Sequence, residues 1–122
     1  MRAEYRFLKT REGVTRYAKV AVASTPSTIW EFSFAETLGE VASIHDHAIR
    51  RGLSLAAAEH ERRGGSPHRI DVHEVSETIV DSTSDSIECA AAGAAWKSLG
   101  GNERDISMTF RDGRWHIEFD VQ

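Results

Sequence analysis

The sequence predicts an α+β domain with four extended segments, two helices and a closing β-hairpin. Three observations carry this: apolar residues recur at every second position near both ends of the chain, the period lengthens to that of a helix in two central stretches, and glycine-containing turns separate the runs. A length of 122 residues supports one core, so residues 1–122 are read as a single domain.

Over 4–34 the apolar residues alternate as Tyr5 and Phe7, then Ala18, Val20 and Val22, then Trp30, Phe32 and Phe34. Arg11-Glu12-Gly13 and Ser24-Thr25-Pro26-Ser27 separate these runs as turns, so three antiparallel strands are expected to open the chain. Past Leu38-Gly39-Glu40 a helix is expected over 43–63, its stripe formed by Ile44, Ala48, Ile49, Gly52, Leu53, Leu55, Ala56 and Ala57. Gly64-Gly65 ends it. A glycine inside a helix costs about 1 kcal/mol against alanine, so Gly52 is expected where the helix crosses another element closely. His60 falls beside the stripe and reads as a partly buried, hydrogen-bonded histidine rather than a ligand.

Residues 68–80 form the fourth extended segment, with Ile70 and Val72 on one face and an irregularity near Glu74-Val75 that returns Ile79 to the apolar side. Asp81-Ser82-Thr83 supplies side-chain acceptors for the start of a second helix, with Asp85 favourable to its dipole. That helix carries Ile87, Ala90, Ala91, Ala94, Ala95, Trp96 and Leu99 to Gly100-Gly101, and its alanines permit a close approach to a neighbour. In the closing hairpin, 105–121, Asp112-Gly113 is a two-residue turn that pairs Phe110 with Trp115, Met108 with Ile117 and Ile106 with Phe119, and Val121 continues the alternation. The resulting apolar face needs cover, either from the domain's own helices or from another chain.

The net charge of −4, from 15 basic and 19 acidic residues, does not mark a nucleic-acid binder in bulk. The distribution is uneven. Residues 1–19 hold six cations against two carboxylates, a net of +4, whereas the remainder carries −8. Such a segment suits either a basic arm for an anionic partner or the charged guard of an edge strand. No run of 18 apolar residues exists and the first twenty residues lack an apolar signal core, so a cytoplasmic protein with no membrane contact is expected.

Little catalytic chemistry is visible. The single cysteine, Cys89, lies among alanines and reads as a small buried hydrophobe. His45 and His47 would point about 200° apart on a helix, which is poor metal-ligand spacing, so no metal is expected. The serines of 82–86 have no Gly-x-Ser-x-Gly elbow around them, and neither phosphate-cradling glycine motif occurs, so no nucleotide or other cofactor is expected.

Several pieces, in order, resemble domain IV of translation elongation factor G. They are Tyr5-Arg6, Arg16-Tyr17-Ala18-Lys19-Val20, Phe34-x-x-x-Leu38-Gly39, Ala48-Ile49-x-x-Gly52, Val80-Asp81-Ser82 and Ile87-x-x-Ala90, together spanning 4–99. The resemblance implies a ribosomal protein S5 domain 2-like fold, with both helices on one face of a four-stranded mixed sheet. In the full factor this domain enters the decoding site, and a separate GTPase domain handles the nucleotide. Here the tip departs from the family: Arg16-Tyr17-Ala18 replaces Gln-Tyr-Gly after a shortened glycine-rich stretch, Thr78 replaces a histidine, and Thr83 replaces the second serine of the Asp-Ser-Ser element. Fold is therefore expected to carry over while GTPase and translocase activities are not.

The leading expectation is a non-enzymatic binding domain that contacts the ribosome or structured RNA through Arg6, Lys9, Arg11, Arg16 and Lys19. The alternative is a protein-interaction or homodimer module built on Phe110, Trp115 and Ile117 of the hairpin. A small enzyme is the third reading and would need a polar pocket around His73, Glu74 and Asp81.

Overall fold

Two turns of the same kind set the registers at the two ends of the chain. In the computed structural model, which describes residues 1–78 and 81–120, Glu12 and Gly13 have φ of 52° and 80°, and Asp112 and Gly113 have φ of 54° and 78°. Two successive positive φ values match the right-handed twist of the flanking strands, which is why a residue-glycine pair closes each hairpin. The first turn joins β1 (Arg2–Arg11) to β2 (Val14–Pro26), with Phe7 opposite Ala18 and Tyr5 opposite Val20. The second joins β5 (Ile106–Arg111) to β6 (Arg114–Phe119), and the three expected apolar pairs form as the Asp-Gly turn requires. Val121 lies outside the described residues.

The third strand is the main departure from the sequence reading. β3 (Glu31–Phe34) does not lie beside β2; β4 (His68–Ser76) sits between them, antiparallel to β2 and parallel to β3. The sheet order is β1-β2-β4-β3. A parallel neighbour needs a long crossover, and the helix α1 (Glu40–Arg62) supplies it. β4 also ends at Ser76, short of the expected extent, and Ile79 and Val80 lie outside the described residues. The irregularity falls one residue earlier than expected. Ala21 pairs with Glu74 and Val22 with Val72, which leaves His73 as the extra residue of a bulge.

Both helices cover one face of this sheet, and the core lies between them and the strands. α1 begins at Glu40, earlier than expected, after Gly39 at φ 56°. Ala48, Ile49, Gly52, Leu53, Ala56 and Ala57 are buried as the stripe predicts, but Ile44 and Leu55 are 68% and 41% exposed and leave it. α2 (Ser84–Ser98) is buried along nearly its whole length, because the sheet, α1 and the second hairpin surround it. Its residues show why: alanines and Gly93 leave room on every side, and Gly93 rests under the Tyr5 ring. A Cβ on Gly52 would lie 2.9 Å from Ala91 Cβ and from Ala92 N and still nearer Glu88 O, so Gly52 marks the close crossing of the two helices.

The second hairpin lies on α2, and its apolar face is covered from within the domain. Trp115 is 7% exposed and meets Phe7 of β1 and Phe110 edge-on, each at a ring separation of 5.4 Å. Phe119 meets Trp96 at 5.1 Å, and Trp96 Nε1 donates to Asn102 O at 2.9 Å. Of the two ways of covering this face, the fold uses the domain's own helix. Trp115 is therefore buried within the domain, while Phe110 and Ile117 are half-buried against the same core.

Candidate nucleic-acid interface

Strand alternation divides the five cations of the first hairpin between two faces. Lys9, Arg11 and Arg16 share the face of Phe7 and Ala18 but lie beyond the apolar core, toward the turn, with Lys9 directly opposite Arg16. Arg6 and Lys19 face each other on the open side of the sheet. They do not form one continuous stripe. Lys19 Nζ lies 3.2 Å from Glu74 and 3.4 Å from Glu4, and hydrogen bonds to Glu74 and then Glu4 raise its pKa. The bond from Ser76, then the one from Lys19, hold the Glu74 carboxyl below its usual value. This triad crosses β1, β2 and β4 and serves the sheet. Because β1 is an edge strand, the guard reading of the charge also applies: Lys97 of α2 reaches around it to donate to Glu4 O at 2.9 Å.

Arg11, Lys9 and Arg16 form no ion pair among the described residues. Arg11 and Arg16 line an open cleft of about 400 Å³ where the turns of both hairpins meet the start of α2. Arg114, at the first position of β6, lines the same cleft. Arg11 is set over the Phe110 ring at 4.9 Å, a cation–π contact that fixes its position. Arg114 reaches back toward Glu88, 3.7 Å away, and Glu88 also takes Arg51 of α1 at 3.2 Å. Glu88 is only 5% exposed, so α1, α2 and β6 are tied through one buried carboxylate. No local pattern marks Glu88, Arg51 or Arg114 as partners, since the three meet only once both helices and the second hairpin are packed.

The segment before α2 is fastened to the first hairpin by Asp81 and Ser82. Tyr17 N donates to Asp81 O at 3.0 Å, Ser82 Oγ donates to Tyr17 O at 2.6 Å, and Ser82 Oγ accepts from Thr78 N at 2.8 Å. Asp81 and Ser82 are thus a strap rather than the first residues of the helix, and Thr83 holds the capping position. Thr83 N donates to Ser86 Oγ at 2.9 Å. Asp85 accepts from Ser86 N at 3.0 Å and from Trp115 N at 2.8 Å, and it also takes the Thr83 hydroxyl. Burial pushes its carboxyl up, but these bonds outweigh burial and leave it below the usual value. Asp85 therefore joins the second hairpin to the start of α2.

With these contacts in view, the chain can be set beside known proteins. No family model matches it, and no curated protein does. A solved structure shares the fold. It is a protein from Thermus thermophilus, similar with a TM-score of 0.71 at 24% identity over 81% of this chain and 15% of that one. This chain thus spans a small part of that protein's length.

The remaining candidates are structural in their surroundings. Cys89 is fully buried, and burial pushes its thiol up to about 12. His60 packs edge-on to Trp30 and His68, and burial, then the His68 ring, lowers its pKa. A hydrogen bond with the Ser66 backbone acts in the opposite direction, and its Nε2 has no hydrogen-bond partner among the described residues. His73 and Glu74 are exposed, Glu74 is engaged by Lys19 and Ser76, and Asp81 belongs to the strap, so these three do not converge. No group of three metal-ligating side chains gathers among the described residues, and no helix there is long and apolar enough to cross a membrane.

Proposed function

We propose that this is a non-enzymatic binding domain, similar to domain IV of elongation factor G, that contacts RNA or the ribosome through the distal end of its first hairpin. One observation carries the reading: Lys9, Arg11 and Arg16 gather beside the turn with no carboxylate partner among the described residues. Side chains kept unpaired at an exposed tip remain available to phosphates, whereas paired ones are already neutralised. The strap from Asp81-Ser82 to Tyr17 supports the same reading. It fastens the segment that resembles the family's Asp-Ser-Ser element to the hairpin, so both form one rigid end.

Filter binding of ribosomes and of a structured RNA across a salt series tests this. Replacing Arg6, Lys9, Arg11, Arg16 and Lys19 together by Ser is expected to flatten the salt dependence, with the slope falling by about 0.7 to 0.9 per lost phosphate contact. Among single changes, Lys19→Ser is expected to matter least, because Glu4 and Glu74 already hold that ammonium. Affinity undetectable at 50 mM salt, or unchanged in the fivefold variant, would refute the RNA reading.

A further inference from the structure

We infer that Arg114 completes, with Arg11 and Arg16, a seat for one phosphodiester of an RNA backbone in the cleft between the two hairpin turns. The inference rests on the RNA reading above and extends it to a residue outside the first hairpin and outside the stretch that resembles the elongation factor domain.

The cleft brings together guanidinium groups from the two ends of the chain. Three like charges on one cavity repel each other, and a bound anion relieves that repulsion. Two carboxylates, Glu12 and Asp85, line the cleft as well. Asp85 is not free to bridge the arginines, since its two oxygens already accept from Ser86 N and Trp115 N. The start of α2 is not invoked as the site, since Asp85 already takes the Ser86 amide there. Two of the guanidiniums are held in place before any ligand arrives, Arg11 by the Phe110 ring and Arg114 by Glu88 behind it, and because Glu88 is shared with the nearer Arg51 its one charge does not neutralise Arg114 as two carboxylates do Lys19. A phosphate, with several acceptor oxygens, offers the planar, two-point match a guanidinium prefers and can accept from more than one of them at once.

The test uses the whole chain and a fluorescein-labelled RNA stem-loop, with anisotropy followed from 50 to 200 mM salt. Arg114→Gln is expected to bind more weakly at 50 mM, and the ratio of wild-type to variant affinity is expected to shrink about three-fold by 200 mM, the signature of one lost phosphate contact. Arg104→Gln, an exposed cation elsewhere, is expected to leave the slope unchanged. Wild-type RNA binding with an unaltered slope in Arg114→Gln would overturn the inference while leaving the RNA reading standing. Absence of RNA binding by the wild type at 50 mM would overturn both. Should Arg114→Gln fail to fold, the side-chain Nε–H resonances of the wild type carry the test. RNA is expected to shift those of Arg11, Arg16 and Arg114 together, and a stationary Arg114 resonance overturns the assignment. Inorganic phosphate is the second probe, and saturable shifts with it in a protein that does not bind the stem-loop would assign the seat to small phosphorylated molecules instead.

Discussion

Replacing Gly52 by Ala sets two effects of opposite sign against each other. In an exposed helix the change stabilises by about 1 kcal/mol, because alanine is the better helix former. At Gly52 the new Cβ would stand 2.9 Å from Ala91 Cβ and from Ala92 N, where ordinary carbon contacts begin at about 3.5 Å. The helices must separate by roughly 0.6 Å to relieve Ala91, and by more to relieve the Glu88 carbonyl. Backbone cannot turn aside as a flexible side chain can, and the seam consists of alanines with no slack. The strain therefore belongs at the upper end of the overpacking range, about 3 kcal/mol. The net expectation is a loss of about 2 kcal/mol, which lowers the melting temperature by roughly 8 °C for a domain of this size. Urea unfolding gives the same quantity as a shift in midpoint with unchanged slope. Ala58→Gly, at an exposed position of the same helix, calibrates the propensity effect and should cost about 1 kcal/mol. A Gly52→Ala protein more stable than the wild type would show that helix propensity dominates and that the close crossing is absent.

Two further expectations concern the second hairpin. Trp115→Ala empties a site lined by Phe7 and Phe110 and should cost about 3–5 kcal/mol, with a melting midpoint independent of protein concentration. A midpoint that rises with concentration would show instead that Trp115 stabilises an assembly. Asp85 has a folded pKa below its ordinary 3.8, so its contribution is complete well above pH 3.8 and is lost as the pH falls through the lower folded value. Urea midpoints compared at neutral and strongly acidic pH should therefore fall more for the wild type than for Asp85→Asn, and an equal fall in both would refute that coupling.

Local chemistry made the ends of the chain legible. Asp112-Gly113 and the alternation on either side determine the β5–β6 register without reference to the rest of the molecule, and a lone glycine in a helical run pointed correctly to the crossing at Gly52. The position of β3 was not legible, because the choice between β2 and β4 as its neighbour depends on where α1 delivers the chain. Ile44 and Leu55 fit a helical stripe by period, yet the sheet and α2 do not extend far enough to cover them. The candidate site divides in the same way. Charge counting located the first hairpin but could not tell Lys19, claimed by Glu4 and Glu74, from Arg16, which has no such claimant. Arg114 left no mark because its neighbours in the cleft are distant in sequence.

That distance bears on when the cleft comes into being. Arg11 and Arg114 are separated by most of the chain, so during synthesis the first hairpin exists long before its partner. The four-stranded sheet and both helices precede the second hairpin in the chain, but the three arginines cannot meet until β6 has been made and packs on α2. A chain cut short before the second hairpin would carry its basic turn with neither Arg114 nor the Trp115 anchor. Within this sequence the cleft is thus completed by the second hairpin, well after its most basic segment has been made.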